Sequence, residues 1–112
     1  MMNESPKFAV SNSQGLSVYK VEEISYCESK NNYTKLHFKN GDYLVQAKTL
    51  GKIEGSLETK GFLRVHRSFL VNVSNIRHFL SHQKNLIIMD DQSKIPVSRR
   101  KKAEVLRRLK NI

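Results

Sequence analysis

Between residues 33 and 45 the chain alternates in character at nearly every step. Leu36 and Phe38 interleave with Lys35, His37 and Lys39, Asn40-Gly41 follows, and Tyr43-Leu44-Val45 returns. A period of two puts Leu36 and Phe38 on one face of a strand and the charged residues on the other. Asn-Gly is the strongest short hairpin signal, because a type I′ turn needs positive φ at both central residues. This pair of strands is the firmest local feature and commits the centre of the chain to antiparallel β structure.

The neighbouring segments extend that reading. Phe8-Ala9-Val10 and Leu16-Ser17-Val18-Tyr19 flank the turn-rich Asn12-Ser13-Gln14-Gly15, a second hairpin. Residues 24–29 form a strand with Ile24 and Tyr26 on one face. The period then changes: Ala47, Leu50, Ile53 and Leu57 stand at helical spacing, Thr49 suits an N-cap and Gly61 a stop. Gly51 and Gly55 each cost a helix about 1 kcal/mol relative to Ala, so this helix depends on packing. Phe62-Leu63-Arg64-Val65 and Ser68-Phe69-Leu70-Val71 are two extended pieces around His66-Arg67. Residues 76–80 and 86–89 make a hairpin joined by residues 81–85, and Pro96 makes the next strand short or an edge. From Ser98, an expected N-cap, the period is helical, with an apolar stripe of Ala103, Leu106 and Leu109 flanked by Val105 and Ile112. The fold expected is mostly β: several small antiparallel sheets of short strands, one short middle helix and a C-terminal helix. Residues 1–6 are expected to be a disordered or tag-like N-terminus, and 7–112 the domain.

One core is all that 112 residues allow. Apolar runs of three or four residues exclude a transmembrane helix, which needs about 20. The N-terminus lacks the order of a signal peptide, and the lone Cys27 cannot form an internal disulfide. Both point to a cytoplasmic protein. Catalysis finds little support. His78 and His82 lack a third ligand, Asp90-Asp91 reads as a solvated turn, and Cys27 reads as a buried structural thiol. No phosphate-binding glycine loop or nucleophile motif occurs, and no metal or other cofactor is expected.

Charge supplies the positive evidence. Twenty Lys and Arg face ten Asp and Glu, a formal +10. The surplus is uneven: residues 1–60 hold eight basic and seven acidic side chains, residues 61–112 twelve and three. Arg99, Arg100, Lys101 and Lys102 crowd the start of the last helix, where the dipole disfavours each cation by about 0.3–1 kcal/mol. An anionic ligand there would remove the conflict. Nucleic acid is the first candidate partner; an anionic membrane or an acidic protein would also accept the charge.

The string Phe62-Leu63-Arg64-Val65-His66-Arg67-Ser68-Phe69-Leu70-Val71-Asn72 resembles the central signature of the LytTR family, the DNA-binding output domain of many bacterial response regulators. Ile24 to Ser29 with Asn32-Tyr33, the apolar positions Leu50, Ile53 and Leu57, Ile76, and Ile95-Pro96-Val97-Ser98-Arg99 agree with it in order and spacing over roughly residues 7 to 110. The resemblance implies a domain that places loops, rather than a recognition helix, in successive major grooves. It implies two copies on a paired duplex site, and a receiver domain or sensor partner elsewhere in the phosphorelay. No receiver or phospho-acceptor is visible in this sequence.

Carried onto these residues, the resemblance gives Asn31, Asn32, Thr34, Arg67 and Arg99 as base-contact candidates. Lys30, Tyr33, His66, Arg100, Lys101 and Lys102 are the phosphate-contact candidates. The chemistry agrees: Arg can donate two hydrogen bonds to guanine, Asn can pair with adenine, and Lys suits phosphate. Plainer readings stand beside these. Residues 30–32 also fit a polar turn, His66 a structural histidine, and Arg99-Arg100 a solvated face. Alternation puts Arg67 opposite His66, hence exposed, while Asn72 reads as a strand-end backbone partner. A non-specific or RNA-binding basic domain is the alternative function, with Tyr26, Tyr33 and Tyr43 as stacking candidates. A membrane or protein module using the last helix is a third.

Overall fold

The computed structural model describes residues 6–82 and 84–112. Among the described residues, ten strands form three antiparallel sheets. The central sheet has five strands: β3 (Ile24–Lys30), β4 (Tyr33–Phe38), β5 (Tyr43–Gln46), β6 (Phe62–His66) and β7 (Phe69–Asn72), ordered β5-β4-β3-β7-β6. A hairpin of β1 (Lys7–Asn12) and β2 (Gly15–Lys20) stands apart, as does a three-stranded sheet of β8 (Ile76–Leu80), β9 (Leu86–Met89) and β10 (Lys94–Pro96). Two helices, α1 (Leu50–Leu57) and α2 (Lys102–Lys110), complete the fold. Pro96 lies on an edge strand, since β10 pairs only with β9.

The central sheet packs on both faces, so this single short domain has two apolar clusters where its length led to the expectation of one core. A sheet sandwiched between layers divides the buried residues between its faces. On one face Ile24, Cys27, Leu36, Phe38, Phe62 and Leu70 meet Leu50, Ile53 and Leu57 of α1 and Phe8 and Val10 of β1. On the other, Leu63, Val65 and Val71 meet Ile87, Met89, Ile95 and Val97 of the three-stranded sheet and Val105 of α2. The adjacent pairs Phe62-Leu63 and Leu70-Val71 therefore serve opposite cores, which explains the unbroken apolar runs in β6 and β7. Cys27 is fully buried, and burial pushes its thiol up to about 12.

Local chemistry departs from the sequence expectation at five points. The β4–β5 connection is not a type I′ turn: Gly41 alone has positive φ (95°), its N–H donates to the Phe38 carbonyl (3.1 Å), and Phe38 N–H donates to Asp42 (2.9 Å). That is a three-residue loop ending in a glycine bulge. A register shift between Ile24 and Tyr26 separates these residues, sending Ile24 to the first core and Tyr26 to the second. Ala47 is exposed and precedes α1, which Thr49 does cap by accepting from Lys52 N–H (3.4 Å). Ser98 is followed by a 3-10 turn (Arg99–Lys101) and its side chain makes no cap. Within α2 the buried residue is Val105, joined by Leu109, while Ala103 and Ile112 are exposed.

Residues 1–5 of the expected N-terminal segment, and Gln83 of the β8–β9 loop, lie outside the described residues. The Pro6 carbonyl accepts from Val21 N–H (2.8 Å), tying the chain's entry to the fold.

Candidate nucleic-acid interface

Three connections meet at one end of the molecule. The first is the two-residue turn between β3 and β4, since Lys30 pairs with Tyr33. Asn31 there has φ 59°, a left-handed conformation that Asn tolerates better than most residues. The second is the turn between β6 and β7, in which Arg67-Ser68 follows His66 and His66 pairs with Phe69. Antiparallel pairing of β3 with β7 brings the two turns together, and Ser29 N–H donates to the Ser68 carbonyl (2.9 Å). The third is the segment entering α2, held to β6 because Ser98 N–H donates to the Val65 carbonyl (2.9 Å).

Backbone hydrogen bonds thus fix the relative positions of the three segments. Lys30, Asn31, Asn32, Tyr33, Arg67, Arg99 and Arg100 are exposed on them; Lys101 and Lys102 are partly buried. Arg67, Arg100 and Lys101 border one shallow recess with Glu54, Arg64, His66 and Ser98. Lys30 lies 3.4 Å from Glu28, and Lys101 lies 3.5 Å from Glu104, so two of the cations have local carboxylate partners. Arg67 owes its exposure to a turn, not to strand alternation as the sequence implied.

Thr34 does not belong to this surface. It points into the fold with no exposed area, and its Oγ1 donates to the Lys48 carbonyl (2.7 Å). The same alternation that buries Leu36 and Phe38 buries Thr34, two residues earlier on the strand. His66 is half-buried; its Nδ1 accepts from Ser68 N–H (3.1 Å), and its ring meets Phe69 edge-on at 5.7 Å. The imidazole thus closes the turn that carries Arg67.

Arg64 had not been singled out from the sequence. Its position between Leu63 and Val65 gives no sign of a polar role beyond the strand's outward face. The fold shows otherwise. A register shift separates Arg64 from His66, the last paired residue of the strand, and Arg67 lies beyond the pairing in the turn, so the His66 and Arg67 carbonyls both stand near the Arg64 side chain. Arg64 Nε donates to the first (2.9 Å) and Nη2 to the second, while Nη1 meets Glu54 Oε1 of α1 at 2.8 Å. The signal that was available was an arginine two residues before a polar turn, with an acidic residue on the apolar-striped helix.

Of the three tyrosines named as stacking candidates, Tyr26 is half-buried, while Tyr33 and Tyr43 are exposed. Tyr26 is stacked on His37 (4.2 Å, 13°) and touches Phe69, and Lys35 Nζ lies 3.9 Å over the Tyr43 ring. Tyr26 is held above its ordinary pKa, chiefly by burial. Among the described residues no group of three or more His, Cys, Asp or Glu is arranged to hold a metal ion, and no helix is long and apolar enough to cross a membrane.

Comparison with known proteins follows the same lines. The family model described as the LytTr DNA-binding domain matches residues 14–110. The chain is 35% identical over 96 residues to the sensory transduction protein LytT of Bacillus subtilis, covering 83% of this chain and 39% of that protein. It is 49% identical over 37 residues to the transcriptional regulatory protein NatR of the same organism, covering 33% of this chain and 16% of NatR. The chain therefore spans well under half the length of these curated relatives. Among solved structures, it superposes on a LytTr DNA-binding domain from Bacillus cereus, described as part of a methyl-accepting/DNA response regulator. The TM-score is 0.74 at 26% identity, covering 98% of this chain and all of that one. The family match runs from the turn before β2 to the last residue of α2, and on that extent the chain belongs to the LytTr DNA-binding domain family.

Proposed function

We propose that this DNA-binding domain reads a defined duplex sequence, presenting its three connected segments to the major groove, and that two copies occupy a paired site. In this reading Arg67 and Arg99 donate to guanine edges and Asn31 or Asn32 reaches an adenine. Lys30, Tyr33, Arg100, Lys101 and Lys102 hold the phosphates, and His66 supports the second loop from within. The domain serves as the cytoplasmic output of a response regulator whose receiver domain or sensor lies outside these 112 residues.

The observation that carries this is the backbone tie between segments, Ser29 to Ser68 and Ser98 to Val65. Base discrimination needs donors held in a fixed mutual geometry, and side chains on independent flexible loops would supply attraction without sequence. The decisive experiment selects bound sequences from a random duplex pool, then compares the best duplex, its scrambled version and single-stranded RNA. The expected result is a paired motif bound at least about a thousandfold tighter than scrambled DNA. Equal affinity for all three would overturn the reading. Replacing Arg67 with Ala is expected to cost about 1–3 kcal/mol on the selected duplex and to relax preference at one base pair.

A further inference from the structure

We propose that Arg64 is the positioning residue for Arg67, with Glu54 of α1 balancing its charge. The proposal rests on reading Arg67 as a base contact and asks what holds that side chain in place. The β6–β7 turn has two carbonyls, that of His66 at the last strand pair and that of Arg67 beyond the pairing, each with an acceptor lone pair turned to Arg64. Such groups at a partly buried site need donors. Arg64 supplies both from one rigid guanidinium, and Glu54 Oε1 fixes its third direction at 2.8 Å. Both side chains are mostly covered, at 21% and 29% exposure, so the pair is less screened than a surface ion pair.

The remaining contacts of the turn complete the restraint. His66 Nδ1 holds the Ser68 amide, and Ser29 N–H holds the Ser68 carbonyl. Arg67 is therefore the exposed residue of a turn whose backbone is fastened on both sides. The Arg67 carbonyl is itself one of the fastened groups. Arg64 points inward to this backbone, so its own contribution to DNA is indirect. A lysine could keep the charge and the partnership with Glu54, yet its single ammonium lacks the planar fork that meets two carbonyls and a carboxylate together.

The test uses the best duplex recovered from a random pool, the same duplex altered one base pair at a time, and a scrambled duplex. Four variants are compared: Arg64→Lys, Glu54→Gln, Arg67→Ala and the Arg64→Lys/Arg67→Ala double. Arg64→Lys is expected to lose preference at the Arg67 base pair by at least about fivefold, the lower end of one bidentate contact. Its affinity for the scrambled duplex and the slope of affinity against salt should stay unchanged, and Glu54→Gln should show the same pattern. The double variant should be no worse than Arg67→Ala, because two residues acting through one contact are not additive. A folded Arg64→Lys or Glu54→Gln protein with full discrimination, or losses that simply add in the double, would overturn the proposal. Should Arg64→Lys fail to fold, Glu54→Gln decides. If Arg67→Ala itself keeps full discrimination, the base-reading premise fails, and that result is separate from any effect of Arg64. A purely structural Arg64 would lower stability and weaken every duplex together.

Discussion

Asn72 and Thr34 show how single polar residues are committed inside this domain. Asn72 is buried, and its Nδ2 donates to the Ile24 carbonyl (3.0 Å) while its Oδ1 accepts from Ser74 Oγ (2.8 Å). It joins the end of β7 to the start of β3 and caps the 3-10 turn that follows, as a strand-end Asn in the signature implied. Thr34 is the contrary case: adjacency to Asn31-Asn32 made it look like part of a reading loop, but strand parity assigns it to the core. Thr34→Val keeps the shape and removes the donor to Lys48, leaving a carbonyl short of one partner. The expected outcome is about 1 kcal/mol less stability in urea unfolding, with base preferences on the selected duplex unchanged. A lost base preference in Thr34→Val would return that residue to the interface. Roles of this kind are legible where the sequence fixes a side chain's face, as alternation does for Leu36, and illegible where a turn intervenes, as at Arg67. Arg64 is hard to read from the sequence because its partners are carbonyls of the turn that follows it and a helix side chain ten residues earlier in the chain.

At the level of elements, the hairpins were readable because alternation and glycine act locally, whereas their fine geometry depends on neighbours. Asn40-Gly41 marked the right turn, yet the bulged loop replaced the two-residue form. The helix α1 was readable from Leu50, Ile53 and Leu57 alone, and Gly51 and Gly55 face away from the core. Its stability must therefore come from its buried face. Ile53, 1% exposed, meets the first core; Ile53→Ala is expected to cost about 2–5 kcal/mol, read from the denaturation midpoint. The sheet face around His37 carries a second, pH-dependent consequence. His37 Nε2–H donates to Glu28 Oε1 (3.1 Å) beneath the Tyr26 ring, with Lys35 and Asp91 as its other charged neighbours. Burial, the largest influence, holds His37 below its ordinary 6.5, with Glu28 pulling the other way. The unfolded chain then takes up this proton first on acidification. The stability it contributes is present above pH 6.5 and is lost as pH falls through the lower folded value. Unfolding curves at pH 7.5 and 5 should show a smaller loss for His37→Gln than for the parent, and an equal loss would rule this out.

At the scale of the whole molecule the +10 charge is divided unevenly along the chain. The chain from Phe62 onward supplies most of the second core and also the surplus cations, while the near-neutral first part supplies the first core and the Asn31-Asn32 turn. Exposed cations at one end attract any polyanion; the backbone ties between segments are what can convert attraction into preference. These two contributions separate with salt. If about six phosphates are neutralised, the logarithm of affinity falls against the logarithm of salt with a slope near −0.9 per phosphate, or about a thousandfold between 50 and 200 mM. Lys102→Ala should reduce the magnitude of that slope by about one and weaken selected and scrambled duplexes alike. Arg67→Ala should instead narrow the gap between the two duplexes at every salt concentration. Fluorescence-anisotropy titrations of the parent and both variants, at four salt concentrations on each duplex, measure both effects together. If Lys102→Ala changed preference and left the slope alone, the division between holding and reading drawn here would be reversed for that residue. The start of α2 would then be a base-reading element, and the cations set against its dipole would owe their place to bases instead of phosphates.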